Sequence, residues 1–246
     1  MSSTTQQKRL AIIQSAYISW KGFFDLIGRC DEYVIFDSVQ YARRHWHNRN
    51  RIKAPGGTIW LTIPVRTGGK FDQPINSVEI EKPWAAKHWR SIEMSYSKAP
   101  FFSSLGPQIK ACYDRADNLS HLTEINELFL REILGILGLK TQVTRDDAYP
   151  GIGVKTERLL HIAKAAGATH YLSGPSAKEY FDEKLFSSEG IKTEWMEYSG
   201  YPQYEQLHGE FDHAVSIIDA LFSIGPVNIK SVLDHRAAIQ YIGATT

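Results

Sequence analysis

The sequence predicts an α/β protein: a Rossmann-like parallel sheet core assembled from the N- and C-terminal parts of the chain, with a mainly helical middle section. Three observations carry this expectation. Two continuous apolar runs, Leu10-Ala-Ile-Ile13 and Tyr33-Val-Ile-Phe36, flank a stretch with helical spacing. Such runs mark strands covered on both faces, and their short separation implies a parallel βαβ unit with a crossover helix. The same strand and helix rhythm returns after about residue 140, and the chain between reads as helix.

In order along the chain, residues 1–8 are polar and read as a frayed tail. Leu10–Ile13 is the first strand, and Gln14 to Ser19 forms a polar and aromatic turn. Trp20 to Gly28 places Trp20, Phe23, Phe24 and Ile27 on one helical side. After the second strand comes a basic loop, then a strand over Thr58–Val65, a loop at Arg66–Lys70 and a short strand over Ile75–Ile80. The helical insertion, about 82–139, begins at Pro83 in a first turn and is broken by Pro100 and Pro107. Ser120 with Thr123 and Glu124 supplies a helix start before Ile125–Leu137, and Gly138 stops that helix. Thr141–Thr144 is a strand, Lys155–Ala166 a helix, Thr169–Leu172 a strand, Ala177–Glu189 a helix and Lys192–Glu197 a strand. His213–Phe222 is a final helix ended near Gly225-Pro226, so one α/β domain spans 9–226 and residues 227–246 form a C-terminal tail or helix.

Composition narrows the function classes. The 246 residues are 43% hydrophobic and 22% charged, enough to bury a core without disulfides. Lys and Arg total 28 against 27 Asp and Glu, so bulk charge does not hold this chain to nucleic acid. No apolar run has the length of a bilayer span, and the N-terminus lacks a signal-peptide stretch. Cys30 and Cys112 read as reduced thiols, consistent with a cytoplasmic location.

The densest chemistry is Gln40–Lys53. It combines Gln40, Tyr41, Arg43, Arg44, Trp46, Asn48, Arg49, Asn50, Arg51 and Lys53 just beyond the second strand. Planar donors beside aromatic faces at a strand's carboxyl end suit a small phosphorylated ligand. A solvated basic loop paired with surface acids is the plainer alternative. Gln14, Tyr17, Trp20 and Lys21 occupy the first strand–helix junction, where backbone N–H groups meet anions. Ser173, Gly174, Ser176 and Lys178 occupy a second such junction, which reads equally as a plain helix cap. Tyr201 adds an amphipathic ring. Asp37 and His213 are the acid–base candidates by chemical type, with structural pairing the competing role for each. Neither GxGxxG nor GxxxxGK[ST] is present, and HExxH and His–Cys spacings are absent, so no metal site is expected.

Several of these segments together resemble the WbqC-like family, bacterial proteins encoded among surface-polysaccharide (O-antigen) genes. The resemblance rests on Ile13–Ile27, Val39–Tyr41 with Trp46–Asn50, Trp60–Val65, Lys155–Arg158, Tyr171–Lys178, Tyr198–Pro202 and His213 with Val215–Asp219. It implies lipopolysaccharide-related work on an activated sugar: transfer of an acyl or aminoacyl group, glycine included, to a nucleotide-linked amino sugar. Ser15-Ala16 and Ser38 depart from the family's Pro-Asn and second Asp, so a metal on paired carboxylates is not carried over.

A transferase reading needs an activated acyl or aminoacyl donor, and no resident cofactor signature is present. Backbone donors at Gln14–Tyr17 or Gly174–Ser176 would hold a tetrahedral oxyanion. An ATP-using ligase or nucleotidyl transferase of the adenylate-forming type is the second reading, although the HxGH signature is absent. A non-catalytic binding or assembly protein is the third, and homo-oligomerisation is left open.

Overall fold

β1 (Arg9–Ile13) and β2 (Glu32–Ile35) pair in parallel, Leu10 beside Glu32 through Ile13 beside Ile35, with α1 (Lys21–Gly28) crossing between them. The computed structural model describes residues 7–234 and the backbone of 240–241. Most of the expected frayed tail, like the end of the chain, therefore lies outside the described residues. Lys8 is already tied down, its ammonium 2.8 Å from the buried Glu32 carboxylate.

A hairpin of β3 (Arg49–Ala54) and β4 (Gly57–Thr62) follows, antiparallel and separate from the main sheet. The basic run is thus not one loop: its second half is strand β3. Asn50 and Ile52 are buried there while Arg49 and Arg51 are half-buried, the two-residue alternation of a strand. The strand expected over Ile75–Ile80 is a 3-10 turn at Ile75–Ser77 followed by two isolated bridges, Glu79 to His121 and Ile80 to Val65. Ile75 and Val78 are both fully buried, and a spacing of three is what a 3-10 turn aligns.

The middle section is α2 (Ala85–Tyr96), α3 (Phe102–Ala116) and α4 (Leu122–Leu137). Pro83 precedes α2 rather than opening it, and Pro107 sits inside α3 without breaking it. Pro107 and Ser103 are exposed, so the carbonyl that loses its helical N–H partner can take water instead. α4 is capped by His121, not Ser120: Glu124 accepts the His121 N–H at 3.1 Å, and Gly138 closes the helix with φ 62°.

The α/β rhythm then resumes with β5 (Gln142–Arg145), α5 (Lys155–Ala165), β6 (His170–Ser173), α6 (Glu183–Ser188), β7 (Lys192–Trp195), α7 (Ile217–Leu233) and β8 (Gln240–Tyr241). The helix expected over Ala177–Glu189 is split into a 3-10 turn at Pro175–Glu179 and the short α6. Asp182 caps α6 by accepting from Leu185 N–H at 3.2 Å. α7 starts later than expected, capped by Ser216, and bends at Gly225 rather than ending. A Cβ at Gly225 would stand 2.5 Å from the Phe101 ring, and its φ of 74° suits glycine. Ile229, Val232 and Leu233 beyond the bend are buried.

The main sheet runs β5-β2-β1-β6-β7-β8, parallel except for β8. Its five parallel strands, counted in chain order, stand 3-2-1-4-5. This is the doubly wound Rossmann arrangement. Strand alternation sends Leu10, Ile12, Val34 and Phe36 into one core with α5 and α6. Ala11, Tyr33 and Ile35 enter another with α1, α7 and the three middle helices. No helix among the described residues is long and apolar enough to cross a membrane.

Candidate functional site

The chain order of the strands reverses between β1 and β6, and a cavity of about 820 Å³ opens there beyond their carboxyl ends. Doubly wound sheets bind ligands at such a reversal, because the segments leaving the two strands diverge to opposite faces. Gln14, Ser15 and Ser19 come from the segment after β1, Ser173 from the end of β6, and Gly174 and Ser176 from the segment after it. The loop after β2 contributes His45, Trp46 and His47, and the start of α5 contributes Lys155 and Thr156. Trp20, Tyr180 and Tyr198 add aromatic walls, and Asn50 reaches in from β3. A second hollow, about 250 Å³, lies by Asp37, Thr123, Arg145, Asp146 and Asp147. It is too small for a nucleotide, which makes the larger cavity the candidate site.

Of the residues predicted from sequence, Gln14, Trp20, Trp46, Asn50, Ser173, Gly174 and Ser176 line this cavity. Trp20 is held edge-on against Tyr198, ring centroids 5.0 Å apart. Asn50 donates to the carbonyls of Tyr17 and Ile18 at 3.1 and 3.0 Å, fixing the turn after β1.

The others stand elsewhere. Tyr17 is fully buried toward the middle helices, its hydroxyl bonded to Tyr113 at 2.7 Å and to His88 Nδ1 at 2.9 Å. Gln40 is exposed and donates to Phe71 and Asp72, while Tyr41 packs on His47. Asn48 is buried and donates to the Ile63 carbonyl. Arg44 is exposed, and its carbonyl accepts from Arg49, whose guanidinium lies 4.3 Å from the Trp60 ring. The expected arginine clamp is therefore outside the cavity, because strand alternation and the loop turn those cations toward solvent and Trp60. Lys178 lies over the Trp195 ring, and Tyr201 packs behind Trp20 with its hydroxyl on Asp25.

Lys21 is enclosed by Trp20, Tyr201, Tyr204 and Phe211, all with ring centroids within 6.0 Å, and donates to the His213 carbonyl at 3.2 Å. Burial brings its ammonium down to about 8, opposed by the charges of Asp219 and Asp212. The aromatic faces stabilise the cation in place.

Asp37 is not a free base. Its carboxylate accepts from Ser15 N–H at 2.8 Å, Ser15 Oγ at 2.7 Å and Thr123 Oγ1 at 2.6 Å, in a site only 2% exposed. Burial raises its pKa, and these three donors oppose the rise. His213 is not in the cavity lining, although its neighbour Ala214 is; it stands beside Phe211, with its Nδ1 buried and without a partner. Its pKa is lowered by burial first and by the Lys21 charge second. Two of the backbone donors expected after β1 are also engaged: Ser15 N–H on Asp37 and Tyr17 N–H on the Trp46 carbonyl at 3.0 Å.

Sequence reasoning passed over His45 and His47. Their His-x-His spacing was the available signal. The rings lie 4.5 Å apart in the cavity wall. His47 Nδ1 is 3.0 Å from the Ser15 carbonyl, and burial lowers the pKa of both histidines. Among the described residues no group of three or more His, Cys, Asp or Glu is placed to hold a metal ion.

The chain is 42% identical over 219 residues to an uncharacterized protein of Mycobacterium tuberculosis, Rv1507c, an alignment covering 89% of this chain and 94% of that one. No solved structure matches it. The WbqC-like protein family model matches residues 14–231, from just after β1 through the middle helices to most of α7, and the chain belongs to that family.

Proposed function

We propose that the protein transfers an acyl or aminoacyl group to the amine of a nucleotide-linked amino sugar, in the making of a surface polysaccharide. The observation that carries this reading is the composition of the switch-point cavity. Its volume of about 820 Å³ suits a ligand of nucleotide-sugar size. Rings of Trp20, Trp46, Tyr180 and Tyr198 offer flat faces to a base or a pyranose. Gln14, Ser19, Ser173 and Ser176 offer neutral hydrogen-bonding groups to sugar hydroxyls. Lys155 and Thr156, at the start of α5, make one end of the wall suited to phosphate. The family's association with surface-polysaccharide genes agrees with a sugar substrate.

The test is thermal denaturation of the full chain with UDP-glucosamine, UDP-glucose and ATP. UDP-glucosamine is expected to stabilise most. At a hundredfold excess over its dissociation constant the gain is about 2.7 kcal/mol, or about 5–11 °C for a chain of this size. A larger shift with ATP than with either sugar nucleotide would replace this reading with an ATP-using ligase. No shift with any of the three would favour a non-catalytic binding protein.

A further inference from the structure

We infer that His47 is the general base of the cleft: its Nε2 takes the proton that the attacking amine must lose, while Ser15, clamped by Asp37, sets the tautomer. This rests on the amine-acylating reading above. A carbonyl oxygen only accepts, so the 3.0 Å contact between His47 Nδ1 and the Ser15 carbonyl puts the hydrogen on Nδ1. Nε2 then carries a lone pair. Nε2 has no hydrogen-bond partner among the described residues, and His47 lines the cavity.

The orientation is over-determined from behind. Ser15 places both its N–H and its hydroxyl on Asp37. Asn126 Nδ2 spans the wall, donating to Ser15 Oγ and to the His47 carbonyl, both at 2.9 Å. Asp37 and Asn126 are therefore positioning residues: they hold the carbonyl that holds the imidazole. A neutral imidazole oriented through Nδ1–H is what general-base catalysis requires.

The ring of His47 has aromatic and cationic neighbours. The His45 ring lies tilted against it at 4.5 Å, the Tyr41 ring stands at 5.9 Å, Lys155 shares the cavity, and Arg49 acts on His45. Asp37, the nearest carboxylate in this network, spends its oxygens on Ser15 and Thr123. Burial lowers the His47 pKa below its ordinary value, and the Ser15 contact opposes that.

The step balances. The amine nitrogen attacks the carbonyl carbon of an ester or thioester donor, and a C–N bond forms. The proton on that nitrogen passes to His47 Nε2. The carbon–oxygen or carbon–sulfur bond breaks with its electron pair on the leaving group, which recovers the proton from His47.

The experiment is ¹⁵N-edited NMR of the full chain, with His47→Gln identifying the His47 signals. The expected result is the Nδ1–H tautomer and a midpoint below 6.5. Saturation with UDP-glucosamine should move that midpoint further down, since the ligand's ammonium opposes a second cation, and UDP-glucose should move it less. An Nε2–H tautomer, or His47 signals unmoved in a UDP-glucosamine complex, overturns the assignment. In acyl transfer from an acetyl thioester to UDP-glucosamine, His47→Gln should lower the rate by about 100-fold or more. A rate within about threefold of the unaltered protein would also overturn it. Failure of the unaltered protein to bind UDP-glucosamine counts against the substrate reading; binding with a silent His47 counts only against the base.

Discussion

Replacing Asp37 with alanine tests whether this carboxylate is a latch or a catalyst. The side chain is 2% exposed and accepts three hydrogen bonds, from Ser15 N–H, Ser15 Oγ and Thr123 Oγ1. Truncation strands three buried donors, each costing about 1–3 kcal/mol. Removing a charge that burial already disfavours offsets part of that loss. The net cost is about 3–5 kcal/mol, or a melting temperature lowered by about 6–20 °C. Asp37→Asn should lose less than half as much. Its amide oxygen can still accept from Ser15 N–H, and its NH₂ can donate to hydroxyls that rotate to receive it. Calorimetric melting of the three proteins at neutral pH decides the matter. A melting temperature within about 2 °C for Asp37→Ala would refute the latch and return Asp37 to the acid–base candidates.

Two further outcomes follow from the packing. His88 is 5% exposed, and burial takes its pKa from the ordinary 6.5 to about 4, so its protonation favours the unfolded chain. Its contribution is therefore fully present above 6.5 and lost as pH falls toward 4, a span worth about 3 kcal/mol. The raised carboxyl of Asp37 acts with the opposite sign in acid, so the measurement is the pH slope of stability in His88→Gln against the unaltered protein. An equal slope over that interval would show that His88 does not carry the acid sensitivity. A Cβ at Gly22 would come within 2.4–2.8 Å of the Trp20 indole. Gly22→Ala should push that ring into the cavity, shift tryptophan emission and weaken UDP-glucosamine binding by roughly tenfold, or about 1.4 kcal/mol. Unchanged affinity would remove Trp20 from the ligand's wall.

What the sequence determined by itself was the layered frame. The apolar runs at Leu10–Ile13 and Tyr33–Phe36 are strands whose alternate residues feed two cores, and the helix between makes them parallel neighbours. Periodicity suffices there, because burial on both faces leaves a pattern local in the chain. Positions at strand ends were legible for the same reason, which is why Gln14, Trp20, Ser173 and Ser176 stand in the switch-point cavity. Only the tertiary structure decided where the polar side chains turn. Arg44 and Arg49 leave the cavity because the loop and β3 direct them to solvent and Trp60, and Lys21 enters a cage drawn partly from residues 201–211. Asp37 is held by Ser15 and Thr123, and His47 by Ser15 and Asn126, partners up to 86 positions away. A buried polar group takes its role from whichever donor or acceptor the fold brings within about 3 Å. That proximity has no period along the chain, so no local pattern could announce it.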